Sequence, residues 1–587
     1  MIATAALPVP ASAQMRAGDK MKNYEEVFGL SLKDRTPAYD VTLVASRPAG
    51  NVLAPGEQPE FTFLLTNLRD EPLRASGKFD VLAYGTKGIP GDIWLPEMFK
   101  SADLPALPFQ ADLPAKGSQL VTVRPELPAA FGAYALIADL GPAGRRFGTS
   151  CVRTFAPVPE KIQYPKLALD DAVGLDVLKA LGVQAIRAGV GYFPPGSPGR
   201  AAELDRLDTF LRACAERNIT VMLMFLSGDS PQPLGRGRPH LDDGGVMLKT
   251  KQDLAWLPAY DADFRAYVAG ICGKYGWPKG AVTSVLLWNE PWDGISISGW
   301  GADSIRYREM FTAMARGVEE ARSGGAQVLI GGCDSTTNTL DKLFADGKET
   351  YLKWLDVCTI HYQGLSAPVL FRSWLNRKSP NGRVRIWDTE SWVANTDDRV
   401  AVIVAADRAA GYDRAMGVYC GNLSTETKRK VTLPDGTARE IDTFHVWSPA
   451  VAVGAAQHFI GERDFRELLF KNGLPWVMTF DGLKGNTDDG TVVVVGDLSE
   501  EFGDQLLFRG VRGLAETSKK KKDPAALQRQ LDLLPPDSPE RWAARKKWMA
   551  REPLSGGRLV LADPAGEFVL FDFYGNPVPA QGGVIQV

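Results

Sequence analysis

From Tyr39 to Pro157 the chain runs in short alternations of apolar and polar residues broken by proline and glycine: YDVTLVAS, EFTFLLTN, GKFDVLAYG, SQLVTVRP and GAYALIADL. A period of two puts the apolar side chains on one face of a strand, and turn residues between such runs predict a β-sandwich. From about Tyr164 to Phe470 the pattern changes. Near-continuous apolar runs (VQAIRAG, ITVMLMFL, VTSVLLWNE, AQVLIGG, VCTIHYQ, VRIWDTE, AMGVYCG) alternate with amphipathic stretches such as LDRLDTFLRACAERN and DADFRAYVAGICGKYG. Strands that are apolar on both faces belong in a parallel sheet covered by helices. With a short first strand near PKLAL they number eight, which predicts a (β/α)8 TIM barrel. An open doubly wound sheet is the rival arrangement, but no GxGxxG follows an early strand. Beyond about Asn472, PWVMTFDG, TVVVVGDL, RLVLADP and EFVLFDFYG return to strand pattern and predict a small C-terminal β-domain. A charged stretch over 516–551, expected to be helical, interrupts it.

The expected organisation is therefore a leader and linker over 1–36, an N-terminal β-sandwich over 37–158, an α/β barrel over 159–470 and a C-terminal β-domain over 471–587. The leader, MIATAALPVPASAQ, is Ala-rich and ends in an A-x-A before Gln14. It resembles the tail of a signal peptide, which makes a secreted or periplasmic location the expectation. It lacks a basic n-region, so a disordered Ala/Pro leader is the alternative. No later stretch is long and apolar enough to suggest a bilayer span.

Charge removes two classes of partner. Lys and Arg total 67 against 70 Asp and Glu, whereas nucleic acid and anionic membrane surfaces call for a basic excess. Neither is expected. The 4 His are scattered at 240, 361, 445 and 458, so no His-built metal site is expected, and no organic cofactor is implied. The 6 Cys form no CxxC pair and mostly sit in apolar runs, where buried thiols are the plain reading. The KKKK run at 519–522 reads as a solvated surface.

Two strand ends carry the chemistry. VLLWNEPWDG delivers Asn289-Glu290, and Pro291 stops the strand there. VRIWDTESW delivers Glu390, with Asp388 two residues earlier and expected on the same face. In a barrel the C-terminal strand ends form the active face. Shielding of Glu290 by Trp288 and Trp292 suits a proton donor. By strand count the two glutamates close the fourth and seventh strands, whose ends face each other across the mouth. Two carboxylates so opposed are what glycosidic cleavage through a covalent intermediate requires, at about 5–5.5 Å apart.

With WNEP on one strand and TES on the other, the region from about 164 to 470 resembles the large clan of retaining glycoside hydrolases that includes the family 5 cellulase-like and family 39 xylosidase-like enzymes. The resemblance implies that Glu290 is the acid/base and Glu390 the nucleophile. It implies that Asn289 binds the sugar 2-hydroxyl and that Arg187 pairs with the nucleophile. His361-Tyr362, closing the sixth strand, match the position from which a tyrosine contacts the nucleophile, although family 5 members commonly have His-x-Tyr. Trp292 and Trp392 are counted with the substrate-contacting residues. The clan often has a stacking tryptophan after strand 8, and GVYCGN has none. Trp447, on the return of a hairpin turned by PDG, is either its replacement or a packing residue. The long segment after the third strand carries Arg236, Arg238, His240 and Lys249, either solvated or set to meet an acidic or sulfated sugar. The implied function is retaining hydrolysis of a glycosidic linkage, expected to be β, in a plant or algal polysaccharide or oligosaccharide, with carbohydrate as the partner. A non-catalytic glycan-binding protein on a degenerate barrel, or a transglycosidase, are the alternatives.

Overall fold

In the computed structural model the alternating N-terminal runs pair as two antiparallel-rich sheets. The structure describes residues 23–30, 37–89, 92–157, 160–170, 174–228, 255–291, 304–335, 351–361, 367–379, 384–390, 396–419, 423–469, 476–482, 490–496, 560–562, 569–579 and 584–586. Strands β1 (Tyr39–Arg47), β2 (Val52–Leu53), β3 (Glu60–Asn67), β4 (Leu73–Ile89), β5 (Asp92–Leu113), β6 (Ser118–Val123), β7 (Gly132–Asp139) and β8 (Arg145–Arg153) sort into sheets ordered β1-β3-β6 and β2-β8-β7-β4-β5. Alternate residues of both sheets, among them Leu43, Phe61, Phe63, Phe79, Leu136 and Cys151, meet in one buried cluster. This is the sandwich core expected of aligned sheets.

The next eight strands are β9 (Leu167–Asp170), β10 (Ala185–Tyr192), β11 (Thr220–Ser227), β12 (Val282–Leu287), β13 (Leu329–Ser335), β14 (Val357–His361), β15 (Arg385–Glu390) and β16 (Ala415–Tyr419). They form one parallel sheet in the order β15-β14-β13-β12-β11-β10-β9-β16. A parallel bridge from Trp387 to Arg414 joins its two ends, with the Asp388 N–H donating to the Arg414 carbonyl at 3.1 Å. The sheet is therefore a closed (β/α)8 barrel. Its interior is filled by Ala168, Ala185, Met222, Met224, Leu286, Val357, Trp387 and Met416, and the Arg414 guanidinium lies 3.8 Å over the Trp387 ring. The outer faces of the strands pack under helices. In the helix Gly199–Glu216 the buried apolar residues Leu207, Leu211 and Cys214 recur at helical spacing.

After the barrel, β17 (Ser424–Thr432) and β18 (Ala438–Val446) form an antiparallel hairpin. The hairpin docks on the sandwich. Asn51 donates from Nδ2 to the Phe444 carbonyl at 2.6 Å, and the Ser150 hydroxyl donates to the Val446 carbonyl at 2.6 Å. A second antiparallel sheet, β19 (Phe465–Leu469), β20 (Trp476–Phe480) and β21 (Val492–Gly496), follows. It starts at Phe465, a few residues ahead of where the C-terminal β pattern is legible. Among the described residues no helix is long and apolar enough to cross a membrane. The leader-like segment 1–22, the lysine run 519–522 and the charged stretch 516–551 lie outside the described residues.

Candidate active site

Arg187, His361 and Glu390 are brought to one mouth by β10, β14 and β15, and Asn289 and Glu290 join them from the turn after β12. Along the inward-facing period of two, Ala185 and Arg187 share the interior side of β10, and Val357, Thr359 and His361 share that of β14. Arg187 is 4% exposed and His361 is fully buried, so both are fixed groups rather than mobile surface side chains.

Arg187 divides its guanidinium between the two strand ends. Nη1 donates to Glu390 Oε2 at 3.2 Å, and Nη2 donates to Asn289 Oδ1 in a short contact and to Met224 Sδ at 3.0 Å. A planar fork can hold two acceptors at a fixed angle, which a lysine ammonium cannot. His361 Nδ1 lies 3.0 Å from Glu290 Oε1 and 3.4 Å from Glu390 Oε2, so one ring nitrogen spans both carboxyl groups. Ligand atoms of Glu290, His361 and Glu390 all fall within 4.8 Å of one another. The two glutamates keep 12% and 13% of their side-chain surface open, enough for a reactant to reach their oxygens.

The local backbone is unusual at both strand ends. Trp288 has φ 64° and Glu290 has φ 46°, a left-handed region that side chains with a Cβ seldom occupy. Strain of about 1–3 kcal/mol per such residue persists only where packing enforces it, and it concentrates at functional sites. The enforcing contact here is the Trp288 indole, fully buried and packed on Trp256 with ring centroids 5.9 Å apart. Trp288 thus anchors the turn from behind rather than shielding Glu290 in the mouth.

On β15 the pairing slips. Ile360 pairs with Asp388 and His361 with Glu390, leaving Thr389 as an extra residue on that strand. A bulge of this kind re-aims a side chain. It corrects the expectation that Asp388 and Glu390 share a face. Glu390 turns into the mouth, whereas Asp388 points to the helix layer and shares a side-chain hydrogen bond with Asp407, on the helix Val400–Ala410. Sequence reading missed Asp407. Its signal is a lone acid inside the apolar helix VAVIVAADRAA, where an unpaired charge would be unfavourable.

Trp447 is corrected as well. It is 3% exposed, stacks on Phe147 of the sandwich at 5.6 Å, and donates from Nε1 to Thr425 Oγ1 at 3.0 Å. A ring enclosed on both faces offers no platform to a sugar. Of the adjacent pair closing β14, His361 is the inward residue; Tyr362, Trp292 and Trp392 lie outside the described residues. So do Arg236, Arg238, His240 and Lys249. Among the described residues, Glu290, His361 and Glu390 are also the group whose donor atoms converge closely enough to hold a metal ion. The Arg187 guanidinium already supplies a positive charge against Glu390 there.

No family model matches the chain, and no curated protein matches it. Among solved structures it is similar to a cycloisomaltooligosaccharide glucanotransferase from Paenibacillus sp. complexed with cycloisomaltoheptaose, at 10% identity and TM-score 0.24 over 60% of this chain and 53% of that one. The chain thus spans about half the length of that protein. A GH2 β-galacturonidase from Eisenbergiella tayi bound to glycerol matches at 12% identity and TM-score 0.28, over 73% of each chain. A glycoside hydrolase family 30 subfamily 8 xylanase from Clostridium acetobutylicum matches at 12% identity and TM-score 0.35, over 56% of this chain and 80% of that one. At such identities a likeness of fold does not carry an activity across.

Proposed function

We propose that this protein is a retaining glycoside hydrolase in which Glu390 is the nucleophile and Glu290 the acid/base. The observation that carries the reading is the spacing of the pair. Oxygens of the two carboxyl groups approach within 4.8 Å, spanned by His361 and flanked by Arg187. Double displacement needs its carboxyl groups about 5–5.5 Å apart, whereas an inverting pair leaves about 6.5–9.5 Å for a water.

In this reading the Glu390 carboxylate attacks the anomeric carbon while Glu290 gives its proton to the departing oxygen. The C–O bond to the aglycone breaks as the bond to Glu390 forms. Glu290, now ionised, takes a proton from water, whose oxygen displaces Glu390 and restores both groups. Positive charge on Arg187 favours the ionised, attacking form of its neighbour. The same guanidinium orients Asn289, whose amide then faces the sugar 2-hydroxyl, a contact that strengthens as the oxocarbenium ion develops. A β-linked plant or algal polysaccharide or its oligomers is the proposed substrate class, met outside the cytoplasm.

The test is a panel of aryl β-glycosides and polysaccharides assayed with the wild type, Glu290→Ala and Glu390→Ala. One sugar released by the wild type is the expected result, with Glu390→Ala reduced at least ~1000-fold throughout and Glu290→Ala reduced about 100- to 10,000-fold on substrates whose leaving group needs a proton. An NMR record of the first product anomer separates the mechanisms: inversion of configuration would exclude the covalent route.

A further inference from the structure

Behind Glu390, on the helix side of the barrel wall, two carboxyl groups are buried against each other. Asp388 of β15 and Asp407 of the helix Val400–Ala410 are each 4% exposed. Their side chains share a hydrogen bond, and two carboxyl groups can do so only if one of them carries a proton. The proton belongs on Asp407. Burial foremost, and then the neighbouring Asp388, push its carboxyl well above the usual carboxylate range. Its Oδ2 is enclosed with no hydrogen-bond partner, a poor setting for a charge. A neutral Asp407 therefore donates its O–H to the Asp388 carboxylate, a charge-assisted and hence strong bond. Asp388 in turn uses Oδ1 to accept the backbone N–H of Glu390 at 3.2 Å. That N–H lies in the bulge created by Thr389, the irregularity that turns Glu390 from the helix side into the mouth.

Resting on the reading of Glu390 as the nucleophile, we propose that Asp388 and Asp407 are positioning residues: through one shared proton they hold the bulged backbone at Thr389–Glu390 and so aim the Glu390 carboxylate. Neither touches the reacting atoms. The alternative, an acid pair that only fastens a helix to the barrel, would affect folding but not the chemical step.

Two replacements of Asp407 separate these. Asp407→Leu keeps the branched shape and removes the donor, whereas Asp407→Asn keeps an N–H donor facing Asp388. Both are first checked for a cooperative thermal transition; Asp407→Ala, which also lacks the donor, replaces the Leu variant if that one does not fold. On an aryl β-glycoside turned over by the wild type, the donor-less variant is expected to lose about 10- to 100-fold in kcat with KM within about twofold, because misplacement by about 1 Å can cost that much. Asp407→Asn is expected to restore kcat to within about threefold of wild type. Independently of any substrate, amide exchange of a peptide spanning 387–390 should quicken about tenfold or more in the donor-less variant and return to the wild-type rate in Asp407→Asn. Unchanged exchange overturns the proposal, as does an Asn variant as impaired as the Leu variant. A Glu390→Gln enzyme that stays active would instead sink the nucleophile assignment, so the two failures are distinguishable.

Discussion

At the scale of single residues, the two glutamates have the same chemistry and different surroundings. Glu390 receives the Arg187 guanidinium at 3.2 Å, and Glu290 receives the His361 ring nitrogen at 3.0 Å. If their roles differ as proposed, their replacements must differ with the leaving group. A 2,4-dinitrophenolate leaves without needing a proton, whereas a sugar alkoxide does not. Glu290→Ala is therefore expected to form the glycosyl-enzyme from a 2,4-dinitrophenyl glycoside at a rate within about tenfold of wild type. On an unactivated disaccharide it should be slower by about 100- to 10,000-fold, the usual contribution of a general acid. Glu390→Ala should fail on both substrates. Pre-steady-state release of dinitrophenolate measures the first step directly. Equal losses for the two variants on the activated substrate would reverse or void the assignment.

At the scale of elements, the strands that carry the site were legible and the irregularities that complete it were not. Each barrel strand shows in the sequence as an apolar run because both of its faces are buried, as in TVMLMFLS of β11. Asn289, Glu290, His361 and Glu390 stand out because each is polar at the end of such a run, and Arg187 because it is a charge inside one. The Thr389 bulge does not show, since it depends on the pairing of β15 with β14, and pairing between distant strands leaves no local period. The same limit applies to Trp447. Its hairpin could be read from PDG between alternating runs, but not the surface it would meet. In the structure that surface is Phe147 of the sandwich together with Tyr24 of the short helix Tyr24–Phe28, both against the indole. Trp447→Ala should accordingly lower unfolding stability by about 3–5 kcal/mol, as for other buried aromatic truncations, while leaving KM within about twofold at a temperature where the variant is folded. Urea unfolding together with Michaelis kinetics decides this. A raised KM at unchanged stability would return Trp447 to the sugar site.

At the scale of the whole molecule, separate parts of the chain are tied together by one buried acid, seven residues past Glu390. Asp397, fully enclosed, accepts hydrogen bonds from the Thr86 backbone N–H at 2.7 Å and the Thr86 hydroxyl at 2.6 Å. It also accepts from the Ser448 hydroxyl at 3.0 Å and, in a short contact, from the Tyr574 hydroxyl. Sandwich, barrel, the segment after the hairpin and the C-terminal β region thus share one carboxyl group. Glycine is required beside it: a Cβ at Gly85 would come 2.8 Å from the Tyr574 hydroxyl oxygen and 3.1 Å from the Asp397 carboxyl. Burial pushes the Asp397 carboxyl up to about 6, the hydrogen bonds from Thr86, Tyr574 and Ser448 pulling against it. In the unfolded chain the same group titrates near 3.8. Between those values the folded state holds the proton that the unfolded state has lost, so this contribution to stability is complete below about pH 4 and falls as the pH rises through about 6. The amount at stake is on the order of 3 kcal/mol. Glu462, also pushed up to about 6 by burial, slopes the same way, so the wild-type curve alone cannot isolate Asp397. The difference in unfolding free energy between wild type and Asp397→Asn can. That difference should shift by about 3 kcal/mol against the wild type between about pH 3 and pH 8 and then level off. If it stays flat across the interval, Asp397 is ionised throughout, and the four donors outweigh its burial.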